Sequence, residues 1–395
     1  MKFFSLRRIT SGGAFIPEID GLRFIAISSV VLYHLQFLLI TRFSFSDPGD
    51  WFTRRLMNNG GRGVPLFFTI SGLILGLPWA KHYLKAGPAV SLKKYFLRRI
   101  TRLEPPYILS MLIMFVLFSL SGHRGYTMGF WSERLLASLL YLHNTIFGVG
   151  SLLNGVAWSL EVEIQFYCLV PILTLIFAVR NRLSRRALLV GTMLCAGLSH
   201  PLWRDSPRLD ISIVNYLQFF LAGFLLADVY VTDWPDTRDG HWSWDIAGLA
   251  VAPLLLYLNA NWFSVAGPFL ILLTCFAVFR GVCLRWLLTR PLVTIPGGMC
   301  YSIYLFHFPL MANALSFSTR LFPHGDGYLY FLSQLFAMAI VIGGFCTLFF
   351  LLIERPCMNK DWPQQLWSRM HNRKRSEYTF PSIGKESIRR QETEA

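Results

Sequence analysis

Residues 246–279, IAGLAVAPLLLYLNANWFSVAGPFLILLTCFAVF, run for 34 positions without an Asp, Glu, Lys or Arg. A single α-helix of that length would reach about 51 Å at 1.5 Å per residue, far beyond a hydrocarbon core of about 30 Å. Pro253 and the Asn259-Ala260-Asn261 turn divide the run into two spans joined as a hairpin. An uncharged stretch this long reads as membrane-crossing. Outward from it, uncharged runs recur at 24–41, 64–80, 105–122, 187–203, 211–227, 299–319 and 327–353, and 157–179 is apolar apart from Glu161 and Glu163.

The whole chain agrees. Of 395 residues, 54% are hydrophobic and only 15% are charged, against roughly a quarter charged in a soluble protein. A disordered chain, a coiled coil, a disulfide scaffold and nearly every soluble enzyme are excluded. The expected fold is all-α: a polytopic integral membrane helical bundle of about ten transmembrane helices within residues 1–356. Residues 357–395 are polar and mixed in charge, and are expected to form a mobile cytoplasmic tail. The net charge of +15 lies between apolar runs, so the expected partner is the lipid bilayer and not nucleic acid. Of the seven cysteines, Cys168, Cys195, Cys275 and Cys346 lie within apolar runs, and no CxxC occurs, so neither a disulfide framework nor a metal site is expected. There are no internal repeats, no second soluble domain and no dinucleotide-binding glycine motif.

The stretch 135–150, LLASLLYLHNTIFGVG, is the ambiguous one: it crosses, lies in the interface or re-enters. If it does not cross, ten spans put both termini on one side, with 28 Lys and Arg there against 9 opposite. If it crosses, the split inverts to 14 against 23. The positive-inside rule favours ten spans with both termini cytoplasmic, and Arg180, Arg182, Arg185 and Arg186 in one short loop argue the same way. The basic start lacks a small-x-small cleavage site, so the first span is expected to be retained.

Several ionisable residues fall inside apolar segments, where a charge is costly and functional by default. In the first span Arg23 and His34 are eleven residues apart, nearly three helical turns. They share a face and lie about 16 Å apart along the axis. His34 then sits near mid-membrane as a neutral base or a packing histidine, and Arg23 at the cytoplasmic mouth. Gly60, Gly61 and Gly63 permit an unusual turn before the second span, and Ser71-Gly72 suits close helix contact. Ser71 is a weak nucleophile candidate, with no base implied beside it. Between 81 and 104 lie seven Lys and Arg, with Arg99 and Arg102 three apart on one helical face, able to hold phosphates or anionic lipid. WSLEVEIQFY at 158–167 places Glu161 and Glu163 in an apolar context, pointing in different directions. Trp158 suits the interfacial aromatic belt. His307 lies mid-span beside Tyr301, Ser302 and Tyr304, with Pro309 loosening the helix. Asp228 reads as an interfacial anchor, and His143 and His200 lie near external ends.

Taken together these segments resemble the acyltransferase-3 family, integral membrane enzymes that O-acylate envelope and exported glycans. The motifs stand in order: Arg23 and His34 within DGLRFIAISSVVLYHL, GVPLFFTISGLIL from Gly63, Arg99-x-x-Arg102 with Pro105 and Tyr107, WSLEVEIQFY, YSIYLFHFPL, and Ile353-Glu354-Arg355-Pro356. They cover about residues 16 to 356. Pro65 stands where the family more often has a small polar or acidic residue. Glu161 stands where a small residue is usual, and Ile164 where a second glutamate is common, so the alignment falls on Glu163. Only a tail follows residue 356, where some members carry a soluble esterase-like domain.

The resemblance implies an acyl-CoA donor, most often acetyl-CoA, with its phosphates on Arg23, Arg99 and Arg102, and no metal. His34 would deprotonate the acceptor hydroxyl and Glu163 would support it. Trp158, Ser71, Tyr304 and His307 would serve the substrate or the structure. The acceptor would be a glycan or lipid-linked saccharide, and the location a bacterial inner membrane. Two other readings remain: a transporter or exporter using a buried His/Glu relay, and a purely structural scaffold.

Overall fold

The computed structural model describes residues 6–9, 15–43, 45, 55, 58–121, 125–234, 240–322, 327–359, 361–365 and 368. Most of the expected tail, 357–395, lies outside these. All regular structure among the described residues is helical. The long helices are α1 (Pro17–Phe43), α2 (Gly63–Lys85), α3 (Leu92–Leu120), α5 (Trp158–Leu173), α6 (Arg182–Leu198), α7 (Ile213–Thr232), α8 (Trp242–Tyr257), α9 (Ala260–Arg280), α10 (Cys300–Leu321) and α11 (Tyr328–Phe349). The shorter α4 (Met128–Leu139) stands between α3 and α5. These ten long helices fall on the ten expected spans. Seven of the segments are long and apolar enough to cross a membrane, and Trp242–Tyr257 is apolar but shorter. The protein is an all-α integral membrane bundle.

The long uncharged run breaks where Asn259 caps α9 by accepting from Trp262 N at 3.0 Å. Pro253 stays inside α8 and does not end it. Elsewhere backbones approach closely. A Cβ on Gly72 would meet Phe220 O at 2.1 Å, and one on Gly223 would meet Thr69 O at 2.2 Å. The Ser71-Gly72 step is therefore a contact surface between α2 and α7, as expected from small residues in membrane helices. Two of the three glycines singled out around the start of α2 act in the same way, whereas a Cβ on Gly61 would meet nothing within 4 Å. Their backbone is ordinary right-handed 3-10 helix. Gly60 and Gly63 press on Ser29 O and Ala26 O of α1, leaving no room for a Cβ. The reason for glycine there is close approach and not an unusual turn.

Those contacts also fix depth. Gly63 meets α1 at Ala26, nine residues into a 27-residue helix, so α2 begins part-way along the bundle. The fourth crossing is interrupted. Trp131 at the start of α4 packs on Phe118 near the far end of α3, with ring centroids 5.2 Å apart. One α4 length later, Tyr107 OH donates to Ser138 O at 2.8 Å and Tyr141 OH to Glu104 Oε1 at 3.1 Å. Twelve residues make about 18 Å of helix, too short to span. At Tyr141, φ is 55° and the chain turns aside. It resumes as α5, where Tyr95 OH donates to Tyr167 O at 3.1 Å. Helix α5 thus continues the descent along α3 from the depth at which α4 stopped. The ambiguous 135–150 stretch is not among the segments long and apolar enough to cross, and α4 is too short to span.

Two hydrophobic cores result. One joins α2, α5, α6, α7 and α9 around Phe166, Phe220 and Phe224. The other joins α1, α3, α4, α10 and α11 around Leu35, Met111 and Phe306. In the first, Asp228 is fully buried and ion-paired with Arg185 and, at 2.7 Å, with Arg186. It is an internal tie between α6 and α7, and not an interfacial anchor. The polar clusters lie at the seam between the two cores.

Candidate active site

The first cluster pairs α1 with α10. His34 Nδ1 lies 3.0 Å from His307 Nε2. The Nδ1 of His307 faces the carbonyls of Ile303 and Tyr304 at 2.9 and 3.0 Å. A carbonyl only accepts, so that Nδ1 carries a proton and the neutral ring offers a lone pair at Nε2. His34 must then donate from Nδ1, which leaves its own Nε2 unprotonated. The pair fixes the tautomer of His34. His307 is fully buried, whereas His34 is half-buried and borders a cavity of about 390 Å³ with Tyr33, Asn59, Arg62 and Trp158. The N-terminal ends of α2 and α5 also reach this cavity, through Gly61, Arg62, Val64 and Trp158. Trp158 is therefore a wall of this cavity.

The second cluster is carboxylate-centred. Glu163 Oε1 accepts from Ser71 Oγ at 2.5 Å and from Tyr167 OH at 2.6 Å. A carboxylate does stand beside Ser71, which helical spacing alone did not reveal. Both donors use one oxygen, so Oε2 remains for the arginines. Glu163 is close enough to Arg23 and to Arg99 for their charges to interact. Glu161 points elsewhere, accepting the Asn144 backbone N–H at 2.9 Å and so holding the re-entrant loop.

The third cluster is basic. Asp20 is shared by Arg8 at 2.7 Å and Arg23 at 3.0 Å. Burial and the neighbouring Arg23 push the Arg8 guanidinium down to about 10, with Asp20 opposing them. Arg99 lies over the Tyr95 ring at 4.3 Å and donates to Tyr95 O. Arg102 faces the charges of Arg23 and Glu354, yet its side chain has no hydrogen bond or ion pair among the described residues. A π-helical turn, Phe350–Glu354, delivers Glu354 to this level, where it accepts from Ser302 N at 2.9 Å and from Ser302 Oγ. Such turns often mark functional positions. The clusters are stacked: Arg23 and His34 share the unbroken helix α1, eleven residues apart, about 16 Å.

Tyr304 OH donates to Val156 O at 2.5 Å and meets Ser159 Oγ at 3.1 Å, so it braces the start of α5 against α10. Sequence reasoning missed Arg8, Asp20, Tyr33, Asn59 and Arg62. Arg62 donates to Leu255 O and Leu258 O at the C-terminal end of α8 and lies over Phe263 at 4.4 Å, so it ties the start of α2 to α8 and α9. Its only signal was its place beside the glycines before α2.

The family model for the acyltransferase domain matches residues 16–353. The chain belongs to the acyltransferase-3 family. It is 28% identical over 341 residues to the peptidoglycan O-acetyltransferase OatA of Listeria monocytogenes, covering 75% of this chain and 49% of that protein. It is 24% identical over 345 residues to the O-acetyltransferase OatA of Staphylococcus aureus, covering 77% and 52%. The chain spans about half the length of these relatives. No solved structure matches.

Proposed function

We propose that this protein is a membrane-embedded O-acyltransferase that moves an acyl group, in the simplest case acetyl, from acyl-CoA to a hydroxyl of a glycan or lipid-linked saccharide. The observation that carries this reading is the free Nε2 of His34 at a cavity wall, with Nδ1 held by His307. A base so oriented takes the proton of an acceptor hydroxyl as its oxygen attacks the thioester carbonyl. The carbonyl oxygen becomes an oxyanion, and the positive ends of α2 and α5 favour negative charge in that cavity. The tetrahedral intermediate collapses with loss of the CoA thiolate, and the proton on His34 passes to that sulfur. Placed by fit, Arg99 and Arg102 suit the donor's phosphates, since neither forms an ion pair within 4.0 Å among the described residues, though Glu163 and Glu354 lie near enough to act on their charges. Arg23 is half-neutralised by Asp20 and serves to hold the thioester end near Glu163.

The name of the Listeria monocytogenes relative, a peptidoglycan O-acetyltransferase, supports a glycan as acceptor class. The bacterial inner membrane and cytoplasmic termini are part of the same reading, supported by the basic residues gathered at one end of the bundle. One observation favours an exporter instead: the chain breaks between α4 and α5, and helices at transporter sites are often broken.

The deciding experiment uses inside-out vesicles, radiolabelled acetyl-CoA and the host's own glycolipids, with wild type and His34→Ala. Label entering alkali-labile saccharide with wild type only is the expected result. No His34-dependent transfer with acetyl-CoA or longer acyl-CoAs, both proteins being folded, would move the exporter reading to the front.

A further inference from the structure

A second cavity, of about 250 Å³, adjoins the His34 cavity, and Gly61, Arg62, Val64 and Trp158 border both. Its remaining wall includes Tyr216, Phe263, His200, Asp210 and Asn215. The wall is mixed in character. Trp158 and Tyr216 present rings whose centroids are 5.5 Å apart and whose planes are inclined at 42°. The imidazole of His200 is 91% buried, at 9% relative exposure, and its Nδ1 has no hydrogen-bond partner among the described residues. A polar atom left so buried is unfavourable unless something meets it. Asp210 Oδ1 accepts from Asn215 Nδ2 at 3.0 Å.

This lining selects among ligands. A lipid tail would leave His200, Asp210 and Asn215 facing hydrocarbon, which is unfavourable. A phosphate would set its charge against the Asp210 carboxylate, and Arg62 in the same lining already gives N–H groups to Leu255 O and Leu258 O. A neutral polyhydroxyl ring meets the requirements. Its C–H faces suit Trp158 and Tyr216, and its hydroxyls can both donate and accept. A cavity of about 250 Å³ has room for a sugar ring.

We infer that this cavity is a second acceptor subsite, holding the sugar residue next to the one being acylated, with Trp158 and Tyr216 against its faces and His200, Asp210 and Asn215 against its hydroxyls. The inference rests on the acyltransferase reading with a glycan acceptor. It makes the preferred acceptor a linked saccharide of two or more residues. Contacts remote from the reacting hydroxyl then help position it, so a single sugar loses turnover as well as affinity.

The test uses the full-length protein in nanodiscs with radiolabelled acetyl-CoA. Acceptors are N-acetylglucosamine, glucose and the β-1,4-linked dimers and trimers of each. Variants are Tyr216→Ala and His200→Ala, each checked for unchanged thermal unfolding in detergent. Wild type is expected to use a dimer with kcat/KM about ten-fold or more above its monomer. Each folded variant is expected to lose that advantage while its rate on the monomer stays within about two-fold. Equal use of monomer and dimer by wild type would overturn the subsite while leaving the acyltransferase reading intact. An advantage that survives in every folded variant would do the same. Absence of label on every saccharide would overturn the glycan-acceptor reading, and the subsite with it.

Discussion

His34 and His307 are 273 residues apart in the chain, and their rings meet with Nδ1 of the first 3.0 Å from Nε2 of the second. On the proposed reading the contact makes His307 the positioning residue for a base on another helix. His34→Ala should lower acyl transfer by about 10²–10⁴, the usual worth of general-base help. His307→Phe removes the acceptor that fixes the tautomer and should cost about 10–100-fold, as expected for a hydrogen bond to a group that becomes charged. His307→Gln, which can still accept from His34 Nδ1, should recover part of that loss. Initial rates on membranes matched for folded protein measure all three. Equal rates for Phe and Gln at position 307 would show that packing, not the hydrogen bond, is what His307 supplies.

Arg99 and Arg102 should separate from His34 in kinetics. Arg99→Ala and Arg102→Ala should each raise the KM for acetyl-CoA by about 10–100-fold, the range of a charge-assisted hydrogen bond, with a smaller change in kcat. Arg102→Lys should recover little if the contact is a two-pronged one to phosphate. An unchanged KM in the alanine variants would remove the phosphate role from this end of the bundle.

Ser71 Oγ, 2.5 Å from Glu163 Oε1, has the geometry of a donor to a carboxylate. On the direct-transfer reading Ser71→Ala should keep activity within about ten-fold, the loss of one such hydrogen bond. Glu163→Gln should cost more, because Arg23 and Arg99 lose the charge they share. The check is transfer rate together with mass spectrometry of wild type quenched during turnover. An acyl group found on Ser71, with activity abolished in Ser71→Ala, would replace direct transfer by a covalent route.

Much of this was legible from local rules. Arg23 and His34 lie on nearly one face because eleven residues are almost three turns, and helix α1 is unbroken across them. The break at Asn259 was legible because an Asn cap is a local device. The histidine pairing was not, since it depends on how α1 docks against α10 and no periodicity encodes that. Asp228 was misread for a related reason. Its position near a span end suggested exposure, but the arginines that bury it come from the preceding helix. The stretch 135–150 stayed ambiguous because the second half of α4 and the loop after it are uncharged, as a true span is. What distinguishes them is the hydroxyl of Tyr141 reaching Glu104, a tertiary contact.

Asp228 offers a stability test independent of catalysis. It is fully buried and ion-paired with Arg185 and Arg186. Removing one partner of a buried pair leaves the other charge uncompensated, which costs about 3–5 kcal/mol. Asp228→Ala should therefore lower the unfolding temperature in detergent and reduce accumulation in membranes. Replacing the pair together, Asp228→Leu with Arg185→Met, should be milder than the single change. A single variant as stable as wild type would mean that solvent reaches the pair.

The interrupted crossing makes a topology prediction that a full crossing does not. If α4 only re-enters, the loop 86–91 and the residues after Glu354 lie on the same side as the N-terminus, and Gly125 lies opposite. Single cysteines at Gly87, Gly125 and Gly240, placed in a background in which the exposed native Cys168, Cys195 and Cys283 are replaced by Ser, report this by labelling with a membrane-impermeant maleimide. Gly87 and Gly240 should label only in inside-out vesicles, and Gly125 only in intact cells. The discriminating position is Gly240, which follows the disputed segment. An extra crossing at 135–150 would invert everything after it, and Gly240 would then label from outside while Gly87 did not. That result would also put the first turns of α6, with Arg182, Arg185 and Arg186, on the outer side against the positive-inside rule.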